Sequence, residues 1–191
     1  ESVEYPYPRE MWRDGGGKDQ IKILEDTDGD GRADKVTVFA DGMNIPTGFT
    51  FANGGIIVAQ APEMLFLKDT DGDDVADVRE VLFSGWSQRD THAGPSNLHY
   101  GLDNWIWGVL GYSGFEGTVG GEEHRFSQGV YRFRQDGSKL DFLRRTNNNT
   151  WGLGFNEQGG AFISTANGNP STYLQFPRKN YALLEGLEDA V

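Results

Sequence analysis

The chain has 191 residues, no cysteine and a formal net charge of −12. That length is sufficient for one domain with a substantial core, and the lack of cysteine excludes disulfides, thiolate metal sites and thiol nucleophiles. The negative charge disfavours nucleic acid and anionic membranes as partners, and no run reaches the ~18 apolar residues of a membrane span. We expect one domain over residues 1–191: an irregular segment (1–19), a structured part (20–178) and a helix-like tail (179–191).

Short strand-like runs separated by glycine-rich turns fill the structured part and predict an all-β fold. The dipeptide Asn53-Gly54 is the strongest hairpin signal in the chain. Asp41-Gly42 predicts a turn that ends the second strand. The predicted strands cover residues 20–24, 35–39, 48–51, 55–59, 64–67, 77–83, 97–101, 105–108, 130–133, 140–143, 153–155 and 161–164.

The first two predicted strands flank a loop that matches the pattern DxDxDG. We name residues 26–34 the first aspartate loop. Its like charges repel one another unless a cation is present, and Ca²⁺ accepts carboxylate and carbonyl oxygens in a flexible shell. The alternative is an acidic, solvated hairpin turn without an ion. The predicted ligands are the carboxylates of Asp26, Asp28, Asp30 and Asp34 and the backbone carbonyl of Arg32.

A second aspartate loop, residues 69–77, repeats this carboxylate spacing 43 residues later, with Asp74 at the position of the glycine. Strand-like runs flank both loops, which argues against a helix–loop–helix EF-hand. Weak calcium sites are filled outside cells, where calcium is millimolar, so we expect an extracellular or periplasmic protein. The predicted ligands are the carboxylates of Asp69, Asp71, Asp73 and Asp77 and the carbonyl of Val75.

Similar hairpins recur further along the chain, with an aromatic residue before each turn. These residues are Phe51, Tyr100 and Phe155, spaced by 49 and 55 positions. Short strands with a period in this range are typical of β-propeller blades. We therefore expect three to four blades, with the remaining blades in the same or another chain.

His92 is the candidate catalytic residue. It lies on a Gly/Pro loop ahead of a predicted inner strand, where a neutral imidazole can act as a general base. The alternative is a hydrogen-bonded histidine that orders the loop. His99 alternates with packing residues on a strand, and His124 lies in a Gly-rich loop, for which a solvated acidic loop is favoured over a metal site.

Amide side chains form the second candidate site, at Asn148, Asn149 and Asn167, next to Gly168. Amides donate and accept hydrogen bonds, as sugar or quinone oxygens require. The alternative is turn chemistry, since Asn tolerates the left-handed region. The tryptophans can form a sugar-stacking platform, although packing between blades is the favoured interpretation for most of them.

Several of these motifs resemble one known family. They are YPYP (5–8), ILEDTDGDG (23–31), FADG (39–42), PTG (46–48), DTDGD (69–73), DVREVL (77–82) and GLDNWI (101–106). Together they resemble the N-terminal propeller of planctomycete-type "membrane-bound dehydrogenase" proteins. Those are similar to soluble aldose and sorbosone dehydrogenases, which are six-bladed propellers that use pyrroloquinoline quinone.

The resemblance implies oxidation of a sugar hydroxyl by hydride transfer to the quinone, with a cytochrome c-type electron acceptor. His92 matches the general base, Asn149 matches a quinone-contacting Asn, and Asn148 stands where that motif has an Arg. Asn167 and Gly168 match the region whose carbonyls hold the cofactor's calcium. The alternative function is a non-catalytic calcium-binding propeller that binds glycan or protein partners.

Overall fold

The computed structural model describes residues 2–3 and 17–174. All regular structure in these ranges is β-strand, which confirms the all-β prediction. None of these residues forms a helix with the length and apolar character to cross a membrane. The predicted helix-like tail, 179–191, and most of the predicted irregular segment lie outside the described residues.

The strands follow one another along the chain with short turns. They are β1 (Asp19–Glu25), β2 (Lys35–Met43), β3 (Gly48–Ala52), β4 (Gly55–Gln60), β5 (Glu63–Lys68), β6 (Val78–Ser84), β7 (Pro95–Tyr100), β8 (Ile106–Leu110), β9 (Phe115–Val119), β10 (Glu122–Phe126), β11 (Gly129–Phe133), β12 (Leu140–Arg145), β13 (Thr150–Phe155), β14 (Ala161–Thr165) and β15 (Thr172–Tyr173).

These strands form small antiparallel sheets, none of which closes on itself within the described ranges. A two-stranded sheet pairs β1 with β2, and a four-stranded sheet has the order β3-β4-β5-β6. A second four-stranded sheet has the order β12-β11-β8-β7, with the two-stranded β9–β10 hairpin inserted between β8 and β11. The last sheet has the order β13-β14-β15.

The hairpin between β3 and β4 shows how local sequence fixes this topology. Asn53 and Gly54 both adopt positive φ, 52° and 73°. This is the geometry of a type I′ turn, whose twist matches that of the flanking strands. The hairpin predicted at Asn53-Gly54 is therefore confirmed.

Two local predictions were wrong. β2 does not end at Asp41-Gly42 but continues to Met43, because Gly42 takes a positive φ of 63° and the β1–β2 register shifts opposite it. Asp41-Gly42 therefore forms a bulge within β2 and not a turn that ends the strand. His124 lies on β10 and not in a loop, since Gly120 and Gly121 form the turn of a β9–β10 hairpin that was not predicted.

Three hydrophobic clusters lie between sheets that follow one another in sequence. One joins the β1–β2 sheet to the β3–β6 sheet, one joins that sheet to the β7–β12 sheet, and one joins the latter to β13 and β14. Aromatic rings dominate the middle cluster, where Trp86 contacts Phe115 and Tyr131 at centroid distances of 4.6 Å. Trp86 and Trp105 are buried as expected, whereas Trp151 is exposed.

Candidate metal loops and polar rim

The first aspartate loop folds around the carboxylate of Asp26. Its Oδ1 accepts a hydrogen bond from the Gly29 N–H at 2.7 Å, and its Oδ2 accepts one from the Gly31 N–H at 2.8 Å. Gly29 and Gly31 have φ of 77° and 87°, which non-glycine residues rarely adopt. The Gly31 N–H is the main cause that lowers the pKa of Asp26. The sequence thus keeps this carboxylate charged and oriented inside the loop.

Carboxylate oxygens of Asp26, Asp28 and Asp30 lie within 4.8 Å of one another. Oxygen-only ligands at this spacing are the donor set that a hard divalent cation accepts. Asp34, also predicted as a ligand, accepts hydrogen bonds from the N–H and hydroxyl of Thr27 at 3.0 and 2.7 Å. Its carboxylate therefore closes the base of the loop, and the Thr27 hydroxyl lowers its pKa.

The second aspartate loop gathers a different trio, Asp69, Asp71 and Asp77, again within 4.8 Å. Asp73 lies outside this trio and accepts a hydrogen bond from the Val75 N–H at 2.9 Å, as Asp30 does from the Arg32 N–H at 2.8 Å. The negative charge of Asp73 is the main cause that raises the pKa of Asp71. Like charges thus crowd this loop in the way that led us to predict a cation. The carbonyls of Arg32 and Val75 stay predictions as ligands.

The second loop also contacts the neighbouring sheet. The Ala76 N–H donates to the Phe39 carbonyl on β2 at 2.8 Å, and Lys35 Nζ lies 3.8 Å from Asp74 Oδ2. Its predicted ligand Asp77 directly follows Ala76. An ion bound in this loop would therefore hold a segment that joins two sheets.

A separate group of loops converges beside β8 and β13, and we name it the polar rim: residues 90–93, 111–113, 147–149 and 166–169. The Ser113 N–H donates to the Ala93 carbonyl at 3.2 Å, and the Ala166 N–H donates to the Asn149 carbonyl at 2.8 Å. Gly111 is buried against Ala93 and against Oδ1 of Asn149. That Oδ1 is buried and accepts no hydrogen bond from the part of the chain that is described.

Asn148 links two of these loops through its amide. Its Oδ1 accepts a hydrogen bond from the Tyr112 hydroxyl at 2.5 Å, and its Nδ2 donates to the Asn167 carbonyl at 3.0 Å. The Thr165 hydroxyl donates to the same carbonyl at 2.8 Å. The structure therefore brings the predicted residues Asn148, Asn149 and Asn167 together, with Gly168 next to them at a φ of 96°.

Tyr112 was missed by sequence reasoning. It is exposed and follows β8 by two residues, before the turn glycine Gly114. Its position just after β8 could have indicated it from the sequence, because the strands on this side lead into rim loops.

His92 joins the rim through its chain neighbour Ala93. Its side chain is exposed, its N–H donates to Asp90 Oδ1 at 2.8 Å, and its Nδ1 lies 3.5 Å from the same oxygen. A carboxylate beside an exposed imidazole can orient the ring. The contacts of His92 with Asp90 match those of an oriented general base. They also match the alternative, a histidine that orders its loop.

The family of the chain follows from comparison with protein-family models. Residues 1–187 match the family described as "Domain of unknown function (DUF7133)". The chain belongs to this family. No match was found among the curated proteins.

In this arrangement the rim does not fit the quinone that the resemblance implies. The quinone's carboxylates require cations, whereas Asn148 is neutral and its amide is already bonded to Tyr112 and Asn167. The Asn167 carbonyl accepts two hydrogen bonds, so both of its lone pairs are used and none faces a metal. Binding of the quinone stays a prediction that requires these contacts to rearrange.

Proposed function

We propose that this DUF7133 chain is three to four blades of an exported, calcium-stabilised β-propeller whose polar rim binds a glycan. The blade interpretation is supported by antiparallel sheets that pack face to face in sequence order. It is also supported by the repeated aspartate loop, which joins β1 to β2 and β5 to β6 in the same way.

Calcium in this proposal has a structural role. Each aspartate loop offers three carboxylates within 4.8 Å, and each joins two strands at the end of a hairpin. An ion that binds only the folded loop stabilises the fold by mass action. Because calcium is millimolar outside cells, such loops need no high affinity there.

The convergence of amides and an exposed aromatic ring at one rim is the observation that carries the glycan proposal. The Asn148 amide and the Tyr112 hydroxyl form one hydrogen-bonded unit. Within the described residues the second Nδ2 hydrogen of Asn148 and the oxygen of the Tyr112 hydroxyl make no hydrogen bond, so this unit offers a sugar hydroxyl a donor and an acceptor together. Aromatic faces pack against the apolar face of a sugar ring, and both Tyr112 and Trp151 are exposed.

A glycan array on the calcium-loaded protein tests this proposal. Binding is expected, and Asn148→Ala should weaken it at least about tenfold, because the variant loses the Nδ2 donor and the hydrogen bonds that position the Tyr112 hydroxyl and the Asn167 loop. Gln158→Ala is the matched control, since Gln158 is an exposed amide in the β13–β14 turn. A blank array with a folded, calcium-loaded protein would contradict glycan binding.

The second candidate function is oxidation of a sugar hydroxyl, favoured by the pairing of His92 with Asp90. In this candidate His92 would take the proton of the sugar hydroxyl. Pyrroloquinoline quinone would serve as the hydride acceptor only if the contacts of Asn148 and Asn167 rearranged to admit it. A cytochrome c-type protein would be the electron acceptor.

Dye reduction by aldoses, with added quinone and Ca²⁺, tests the second candidate. His92→Ala should abolish turnover without loss of folding, whereas His124→Ala on the inserted hairpin should leave turnover unchanged. The absence of both dye reduction and a quinone-induced thermal shift would reject sugar oxidation and leave the glycan proposal standing.

A further inference from the structure

Strands β7 and β13 each contain a bulge just after they leave the polar rim. On β7 the register with β8 shifts between Ser96 and His99, and on β13 the register with β14 shifts between Thr150 and Gly152. Each shift places one more residue on that strand than on its partner. Strand β3, which follows none of the rim loops, pairs with β4 in an unbroken register. The bulge is therefore shared by two strands that lead out of rim loops.

The bulge in β13 changes which side chain is buried. Thr150 is 1% exposed and Leu153 is 8% exposed, although they are three positions apart. Regular alternation would bury Trp151 together with Leu153, yet Trp151 is 44% exposed. The Thr150 hydroxyl lies 2.7 Å from the Thr146 hydroxyl in a buried hydrogen bond. Thr150 thus occupies the inward position, and the indole of Trp151 is left at the surface.

Asn97 on β7 connects the two bulges. Its φ of 52° is in the left-handed region, which asparagine tolerates better than most residues. Its Nδ2 donates to the carbonyl of Trp151, 54 residues further along the chain, and lies 3.4 Å from Ser96 Oγ. The bulge in β7 therefore presents an amide that holds the backbone of β13 at the second bulge.

Bulges of this kind turn side chains in a new direction and are common next to functional sites. The side chain exposed here is a tryptophan, which offers a large apolar face to the C–H face of a pyranose ring. A tryptophan needed only for packing would be buried, as Trp86 and Trp105 are. Strand β13 also begins directly after the rim loop that carries Asn148. The aromatic face is thus attached to the loop that offers the amide.

We propose that Trp151 is the stacking surface for a pyranose ring of the glycan, and that Asn97 is the residue that positions it. This inference rests on the proposed glycan binding at the polar rim. Asn148 and Tyr112 supply the hydrogen bonds to the sugar, and Trp151 supplies the apolar contact. Asn97 acts through the backbone of Trp151 and not on the sugar, because its amide is bonded to the Trp151 carbonyl.

Free oligosaccharides of glucose, galactose and mannose are the probes, because each presents pyranose rings with apolar C–H faces. Calorimetric titration of the calcium-loaded chain should show saturable binding of at least one of them. Trp151→Ala should weaken that binding at least about tenfold, since the stacking surface is lost. Trp151→Phe should restore most of the affinity, because phenylalanine keeps an aromatic face. Equal affinity of Trp151→Ala and the original chain would overturn the stacking role.

Fluorescence quenching distinguishes direct stacking from a structural effect. A bound oligosaccharide should shield the indole of Trp151 from acrylamide and so reduce the quenching of the chain's tryptophan fluorescence. Trp151→Phe has no indole at this position, so its quenching should be the same with and without the sugar. A sugar-dependent change of equal size in the two proteins would contradict stacking on Trp151.

Asn97→Gly tests the positioning role, because glycine adopts a φ of 52° freely and only the amide is lost. Asn53→Gly is the matched control, since Asn53 has the same φ of 52° but lies in the β3–β4 turn. At a temperature well below both melting transitions, Asn97→Gly should bind the sugar about three- to tenfold more weakly than Asn53→Gly. The reason is that loss of one hydrogen bond releases the Trp151 backbone. Equal affinities of the two variants would overturn the positioning role.

Failure of this inference and failure of the proposed function give different results. A blank glycan array would show that glycan binding and this inference are both wrong. Only the stacking inference is wrong if the array shows binding but Trp151→Ala binds as the original chain does. The same holds if the array shows binding only of glycans without a pyranose ring.

Discussion

Replacement of Gly111 by alanine tests the packing on which the polar rim depends. An added Cβ would meet the Ala93 Cα and carbonyl oxygen at 2.8 Å each, and it would overlap Oδ1 of Asn149. Real Cβ atoms essentially never approach other atoms below 3.0 Å, and two of these contacts are backbone atoms that cannot rotate away. The loops that carry His92 and Asn149 must therefore move apart in Gly111→Ala.

The expected cost follows from this geometry. Overpacking of a buried site costs about 1–3 kcal/mol, and the backbone contacts place Gly111→Ala towards the upper end. For a domain of this size each kcal/mol lowers the melting temperature by about 2–4 °C, so a decrease of roughly 4–12 °C is expected.

Gly154→Ala is the matched control. Gly154 lies on β13, and an added Cβ there has no atom within 4 Å. Its stability should equal or slightly exceed that of the original chain, by about 0–1 kcal/mol, because alanine restricts the unfolded state.

Thermal and urea denaturation of both variants, in the presence of calcium, give the measurement. If Gly111→Ala is as stable as Gly154→Ala, the close packing of the Ala93 and Asn149 loops is wrong. Glycan binding by Gly111→Ala should fall as well, because Asn149 directly follows Asn148.

The remaining predictions concern charge and burial elsewhere. Asp28→Asn and Asp71→Asn should each lower the melting temperature in calcium, because each removes a predicted ligand. In excess chelator each should raise the melting temperature, because each removes a like-charge repulsion. A shift of the same sign in both conditions would contradict the calcium sites. Tyr131→Phe should raise the unfolding free energy by about 0.5–2 kcal/mol, since its hydroxyl is buried and forms no hydrogen bond with any described residue. An equal gain in Tyr100→Phe, whose hydroxyl accepts a hydrogen bond from Gln135, would refute this cause. Hydrogen bonds from the hydroxyl and N–H of Ser138 lower the pKa of Asp136 below its ordinary value of 3.8. Asp136 thus contributes stability that is present above pH 3.8 and lost as pH falls through the lower folded pKa. In urea unfolding, Asp136→Asn should be less stable than the original chain near pH 6, and this difference should vanish at strongly acidic pH.

Strand positions were predictable wherever the turn chemistry was local. Asn53-Gly54 fixed the β3–β4 hairpin because only a few residues tolerate its positive φ values. The same local logic failed at Asp41-Gly42, where pairing with β1 converted a turn signal into a bulge within β2. The β9–β10 hairpin was missed although Gly120-Gly121 offers the required turn, because its place in a repeat of hairpins was not expected.

The candidate sites likewise include features that local sequence determines and features that it does not. Both aspartate loops could be read from spacing, because their predicted ligands are neighbours in the chain and the loop closes on itself. Which carboxylates converge was not readable: Asp30 joins the first trio, whereas Asp77 takes the place of its counterpart Asp73 in the second, although Asp30 and Asp73 accept equivalent backbone hydrogen bonds. That choice depends on small backbone differences within each loop.

The sequence by itself determined an all-β chain, two acidic metal-type loops and the residue types of the rim, since each of these depends on contacts within a few residues. Only the tertiary structure decided that Asn148 is bonded to Tyr112 and Asn167, and that Gly111 packs against Ala93 and Asn149. Those facts depend on contacts between sheets far apart in the chain, which no local pattern encodes.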